Sequence, residues 1–184
     1  MKEKSISFLM PCISARPYGG FKVVYEQGNR LSEIWYGKFF CLSVKQKIPQ
    51  LHVTMFGTPD KPDLSEWFSY YQTPDKDTHN AIYNNASIFV AASKAEGMAL
   101  PPAESMICGC ALVCTDIPGF SMYAINEKTA LTSPVYDCQK LAENIIKLIE
   151  NNELRIELAK SGNKFIRQFT WEKAFALFSE MLES

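Results

Sequence analysis

Short apolar runs rich in β-branched residues and bounded by Gly and Pro alternate along this chain with longer stretches of helical period, and no other feature of the sequence narrows the fold as much. A strand, a helix and a second strand in succession return to one sheet in parallel. The pattern therefore predicts an α/β domain built on a single parallel sheet with helices on its faces. Strands are expected at residues 6–13, 52–57, 87–92 and 111–115, with a short one at 129–132 and an edge strand in the aromatic run WFSYYQ between Leu64 and Gln72. Three C-terminal helices follow from spacing. Leu141, Ile145, Leu148 and Ile149 share one face; Leu154, Leu158, Phe165 and Phe169 share a second; Trp171, Phe175, Phe178 and Leu182 share a third. All three stripes are expected to face a core, and Asp137 and Thr170 stand where N-caps belong.

The stretch 21–47 fits this plan poorly. As one helix it would hold roughly 27 residues and run ~40 Å, against a mean of about 11 to 12 residues. Gly28 and Gly37 fall inside it, each costing about 1 kcal/mol relative to Ala. Either the helix breaks near Gly37, or two segments of different helices are joined here.

At 184 residues and roughly 150 residues per domain, the chain is one domain or one and a fraction. Hydrophobic residues make up 47% and charged residues 21%, which excludes a disordered chain. Nineteen basic residues balance twenty acidic ones and neither sign forms a block, so no nucleic-acid-binding face is expected. No apolar run reaches the ~18 to 20 residues of a membrane span, nor does the start resemble a secretory signal, so a cytoplasmic protein is expected, at most peripheral to the inner face of a membrane. The six cysteines form no C-x-x-C pair and the two histidines, His52 and His79, lie far from them; the expectation is structural thiols and no metal.

The segment with the most chemistry is SKAEGMALPPAESMICGCALVCTD, residues 93–116. It begins where the strand 87–92 ends and passes through a Gly-containing loop into a helix opened by Pro101 and Pro102, residues tolerated only in a first turn. Unpartnered amides and the positive end of the helix dipole make an anion site there, at the carboxyl end of a strand where α/β sheets bind ligands. Gly97 lets the backbone approach closely, so the amides of Met98, Ala99 and Leu100 can face a diphosphate. Glu96 and Glu104 flank the loop with seven residues between them. Glu104 is placed either to accept hydrogen bonds from paired sugar hydroxyls or simply to complement the helix dipole, a role worth about 0.3 to 1 kcal/mol.

Glu96 to Glu104 resembles the Glu, seven residues, Glu motif of the retaining, group 1 nucleotide-sugar glycosyltransferases, whose GT-B architecture pairs two Rossmann-like domains. The similarity extends through LHVTMFG, YNNASIFVAASKAEGMALPPAESMICGCALVCTDIPGFSMYAINEKTALTSP and FTWEKAFALFSEML, all of which look like the family's C-terminal, donor-binding domain. The resemblance implies one Rossmann-like parallel sheet flanked by helices with a C-terminal helical segment, one half of a GT-B fold. It implies that Glu104 holds the ribose of a nucleotide-diphosphate sugar, that Glu96 is the catalytic residue beside the transferred sugar, and that Ser93, Gly97, Met98, Ala99 and Leu100 contact the donor. Gly57 would stand at the pocket rim, and Tyr71, Gln72 and Thr73 would either receive the base or form an aromatic edge strand. No metal and no cofactor are implied; the partners are a nucleotide sugar and an acceptor glycan, in polysaccharide assembly.

The first 33 residues depart from that domain. SISFLMPCISARPYGGFKVVYEQGNRLSE resembles the opening of the family's acceptor-side domain, and after Glu33 the chain passes straight to WYGKFFCLSVKQKIP. The organisation expected is residues 1–33 as a remnant of the acceptor side, packed into the sheet, and 34–184 as the donor domain. Arg16 and Lys22 lie in a loop comparable to the one from which the family brings a basic pair to the diphosphate, but with different spacing, which leaves them candidate phosphate contacts only; a separate chain is one candidate source of the acceptor side. Two functions remain open: a transferase present as its donor-binding half, or a non-catalytic nucleotide-sugar binding module or decayed gene product.

Overall fold

The computed structural model describes residues 5–9, 44, 46–49, 51–57 and 68–183. Six strands, β1 (Ser5–Leu9), β2 (His52–Gly57), β3 (Phe68–Gln72), β4 (Ile88–Ala91), β5 (Ala111–Thr115) and β6 (Ala130–Ser133), form one sheet in the order β3-β2-β1-β4-β5-β6. Every pairing is parallel. The helices are α1 (Lys76–Asn85), α2 (Leu100–Ile107), the single turn α3 (Pro118–Ser121), α4 (Cys138–Glu150), α5 (Asn152–Ile166) and α6 (Trp171–Glu183). This is the α/β arrangement that the alternation predicts.

The central strands show why an apolar run without polar alternation became a strand. Successive side chains point to opposite faces, and both faces are covered. Ile88 and Val90 of β4, with Ala111 and Val113 of β5, join Val53, Met55, Leu141, Ile145, Leu148 and Leu158 in a core under α4 and α5. Phe89, Ala91, Leu112 and Cys114 point the other way, into a core with Tyr83, Met106, Phe120 and Tyr123 under α1, α2 and α3. Sheets buried on both faces read as continuous hydrophobic runs. β3, at the edge, is buried only at Phe68.

β1 lies at the centre, paired with β2 on one side and β4 on the other. The strand order reverses there, which opens a crevice at the carboxyl ends of β1 and β4. Residues 10–13 of the expected first strand lie outside the described residues, as does nearly all of 21–47; of that stretch Val44, Gln46 and Lys47 are helical.

Asp137 caps α4, accepting from the Lys140 N–H at 2.8 Å, and Thr170 Oγ1 accepts from Lys173 N–H at 3.3 Å. Two stripe expectations are corrected. α5 ends at Ile166, so Phe169 lies beyond it and is exposed. The stripe of Trp171, Phe175, Phe178 and Leu182 does form one face of a helix, but that face meets no core: none of the residues of α6 is buried. Periodicity identifies an apolar face without identifying what covers it. Among the described residues no helix is long and apolar enough to cross a membrane.

Candidate functional site

The loop between β4 and α2 leaves the sheet beside the crevice, and three groups downstream in the sequence brace it. The Thr115 hydroxyl, at the end of β5, donates to the Ser93 carbonyl. Gly119, in α3, packs so closely on Glu96 that a Cβ there would stand 2.4 Å from the Glu96 carbonyl oxygen and 2.8 Å from its Cβ. The fully buried Tyr123 donates its hydroxyl to the Ala99 carbonyl at 2.8 Å. Burial, with the charges of Cys114 and Glu96 as lesser causes, pushes the Tyr123 phenol well above its usual range, so it stays a donor.

Within the loop, the buried Ser93 donates Oγ–H to Glu96 Oε1 at 2.9 Å, fixing one oxygen of a half-buried carboxylate. The backbone N–H groups of Gly97, Met98, Ala99 and Leu100 have no acceptor among the described residues. The last of them, Leu100, is the first residue of α2. Its N-cap, Ala99, offers no side-chain acceptor, and Pro101 and Pro102 remove two of the four amides that a helix start leaves unpaired. The donors available to an anion are thus those of the loop and of Leu100 at the helix start.

Glu104 stands exposed in α2 and accepts from the Tyr83 hydroxyl at 3.1 Å. Tyr83 comes from α1, stacks on His79 with ring centroids 5.6 Å apart and meets Phe56 and Phe89 edge-on. Burial first, and the Glu104 charge second, raise the Tyr83 phenol far above the ordinary tyrosine value. The ring stack fixes Tyr83, and Tyr83 fixes Glu104. A groove of about 560 Å³ opens between α1 and α2, lined by Lys76, His79, Asn80, Tyr83, Glu104 and Cys108 among others. Drug-sized and nucleoside-sized ligands occupy clefts of roughly 300 to 1,000 Å³.

Of the remaining expected residues, Gly57 ends β2 and pairs with Gln72 at the end of β3. Thr73 follows in a left-handed conformation, φ 45°, held by its N–H donating to the Gly57 carbonyl at 2.7 Å. Tyr71 is exposed on the edge strand. These four form one cluster at the carboxyl edge, next to the first turn of α1. Arg16 and Lys22 lie outside the described residues. No group of three or more His, Cys, Asp or Glu side chains suited to a metal occurs among the described residues.

Sequence reasoning missed α1, Tyr83, Gly119 and Tyr123. For α1 a signal existed: Pro74-Asp75 ahead of it, with Asp75 Oδ1 accepting from the Thr78 N–H at 2.8 Å as an N-cap. For Gly119 the Pro-Gly pair after a strand was the available cue. Tyr123 had none, because its partner Ala99 lies 24 residues away.

The family model for glycosyl transferases group 1 matches residues 42–165. An uncharacterized glycosyltransferase of Methanocaldococcus jannaschii is 32% identical over 93 residues, 50% of this chain and 26% of that protein. The chain thus spans about a quarter of the length of such a relative. Among solved structures, the C-terminal domain of the group 1 family glycosyl transferase LpcC from Francisella tularensis superposes with a TM-score of 0.68 at 18% identity, over 89% of this chain and 85% of that one. The pneumococcal O-GlcNAc transferase GtfA, in complex with UDP and GlcNAc, gives 0.73 at 16% identity, over 99% of this chain and 36% of that one. These structures share its fold, and the family match covers more than half of its residues, both core faces and the entire loop between Glu96 and Glu104: the chain belongs to the group 1 glycosyl transferases.

Proposed function

We propose that this chain is the donor-binding half of a retaining, metal-independent glycosyltransferase, holding a nucleoside-diphosphate sugar at the carboxyl end of β4. The observation that carries the reading is the row of unpartnered amides from Gly97 to Leu100, set between two carboxylates that are each oriented by a hydroxyl donor. Glu104, steadied by Tyr83, takes the ribose hydroxyls, and the base lies toward Gly57, Tyr71, Gln72 and Thr73 and the groove beside α1. The amides meet the diphosphate. GtfA, similar in fold, was solved with UDP and GlcNAc, which supports a uridine nucleotide as the first to test.

In the reaction the bond from the sugar's anomeric carbon to the diphosphate oxygen breaks, its electron pair leaving on that oxygen. The acceptor hydroxyl oxygen bonds to the carbon, and its proton passes to the departing diphosphate. Amides aimed at the diphosphate stabilise the negative charge that grows there, and the Glu96 carboxylate stabilises positive charge at the anomeric carbon. The acceptor would be positioned by a separate acceptor-side chain, on the cytoplasmic side and at most peripheral to the inner face of a membrane. Residues 1–33 are read as acceptor-side in origin, with β1 standing in the sheet for the donor domain's first strand; its central pairing supports this.

A nucleoside diphosphate at a hundred times its Kd adds ~2.7 kcal/mol, or roughly 5 to 10 °C in Tm for a domain of this size. The expected result is such a shift with one of UDP, GDP, ADP or dTDP, abolished in Glu104→Ala. No shift with any of the four would refute the reading. The second reading is donor binding without transfer, since transfer needs a closed cleft and a positioned acceptor in addition to the donor site described. Sugar release or transfer by the isolated chain would eliminate it.

A further inference from the structure

The Tyr83 ring is 4% exposed and is boxed in on three sides. His79 stacks on it within 4° of parallel, while Phe56 of β2 and Phe89 of β4 meet it edge-on with centroids 5.9 and 5.7 Å away. Its backbone is tied as well, the carbonyl accepting from the Cys110 thiol at 3.3 Å. The phenol therefore cannot swing, and its one proton is aimed at Glu104 Oε2. Burial keeps that proton in place. Glu104 is exposed, and an unheld glutamate there would lose more rotamer entropy than most side chains on being fixed by a ligand. Its second oxygen, Oε1, accepts from no donor among the described residues.

We propose that Tyr83 is a positioning residue that makes Glu104 a reader of the ribose cis-diol, so that the site takes ribonucleoside diphosphates in preference to their 2′-deoxy forms; the assignment rests on the donor site proposed above. A carboxylate offers about four lone-pair positions. The Tyr83 hydroxyl takes one on Oε2, which leaves Oε1 and the rest of Oε2 to a pair of donors. The 2′- and 3′-hydroxyls of ribose lie on one face of the sugar, close enough to donate to both oxygens at once when the carboxylate plane is fixed. Without the phenol that plane turns, and it can still follow a single hydroxyl. A 2′-deoxyribose brings only the 3′-hydroxyl, so it gains little from a fixed plane. Sites built to bond a hydroxyl reject the analogue that lacks it because their own polar groups are left unpaired; water reaching the exposed Glu104 moderates that penalty here.

Titration calorimetry on the full chain compares UDP with dUDP, GDP with dGDP and ADP with dADP, so that one hydroxyl differs within each pair. The wild type should bind the ribo form of its base about 10-fold more tightly than the deoxy form, the scale of one hydrogen bond to a charged acceptor. In Tyr83→Phe, which keeps the ring packing, the ribo form should weaken about 10-fold and the deoxy form less than about threefold, so that the preference nearly vanishes. If that variant gives no cooperative melt, His79→Leu removes the stacked ring and should reduce the ribo-to-deoxy ratio in the same direction. A tyrosine that only ties α1 to α2 would lower both affinities alike, and that result overturns the proposal. A wild type that binds both forms equally, or a Tyr83→Phe chain that keeps the full preference, overturns it too, while the donor site itself still stands. Binding of none of these diphosphates would refute the donor site and the ribose preference together.

Discussion

Replacing Gly119 with alanine puts a methyl carbon 2.4 Å from the Glu96 carbonyl oxygen, 2.8 Å from the carbonyl carbon and 2.8 Å from Glu96 Cβ. Ordinary contact begins roughly 1 Å farther out, and two of the three obstacles are backbone, so a rotamer change cannot relieve the clash. Either α3 or the β4–α2 loop must move by about that distance. Gly119 does not have a left-handed φ, so the cost is steric alone, about 1 to 3 kcal/mol as for other overpacked sites, or roughly 2 to 12 °C in Tm. The push acts on the residue carrying the proposed catalytic carboxylate. Misplacement by about 1 Å costs on the order of 100-fold in reactivity, and nucleotide-sugar affinity should fall with it. Thermal melts with and without UDP-sugar measure both effects. Ser121→Ala serves as the control: its hydroxyl donates only to the Pro118 carbonyl within the same exposed turn, and it should change neither. A Gly119→Ala protein that melts within a degree of wild type and responds equally to nucleotide would refute the claim that this contact sets the loop.

Other expectations follow from the same geometry. Tyr123→Phe removes the donor to the Ala99 carbonyl and leaves that acceptor buried, a loss of about 1 to 3 kcal/mol visible as a lower Tm together with weaker nucleotide binding. Asp137→Ala deletes the cap on α4; about 1 kcal/mol should go, with nucleotide affinity unchanged in titration calorimetry. At alkaline pH, the Tyr83 and Tyr123 phenols are raised in the fold by burial above an unfolded value of about 10. Their contribution to stability is fully present below pH ~10 and is lost as pH rises through their folded values. In a phenolate absorbance titration the folded chain should show two tyrosines that resist ionisation near pH 10 until the protein unfolds; titration of every tyrosine near 10 in a chain still folded by circular dichroism would contradict this.

The parts of the fold legible in the sequence are those where burial leaves a periodic mark. β2 and β5 could be bounded to the residue because turn residues flank them, with both faces of β5 apolar and Val53 and Met55 marking the core face of β2, and α4 announces itself through Leu141, Ile145 and Leu148. α1 was hidden because little of it is buried, chiefly Ile82 and Tyr83, too few positions for a stripe. α6 failed in the opposite way: a full stripe, and no core against it. At the candidate site the loop itself was readable, since Gly97, Pro101 and Pro102 are local signals. What holds the loop was not, because Thr115, Gly119 and Tyr123 reach it through tertiary contacts from 22 to 24 residues away, and separation in sequence carries no pattern.

That division has a chemical consequence. A helix start ordinarily grips an anion with its own first-turn amides, so its affinity is as rigid as the helix. Here Pro101 and Pro102 have removed two of those donors, and the N–H groups available lie on residues 97–100, in the loop and at the first residue of α2. Their aim is set by whatever sets the loop: the Thr115 hydroxyl, the missing side chain of Gly119 and the Tyr123 hydroxyl. None of these three needs to touch a ligand, yet each determines how far the amides stand from it, and an amide moved from hydrogen-bond distance loses most of its contribution. In the proposed site the prolines therefore shift much of the control of anion affinity from α2 to β5, α3 and Tyr123. Substitutions in those braces should weaken diphosphate binding more than substitutions of the exposed side chains of Met98 or Leu100, although only the latter pair sits on residues proposed to face the anion.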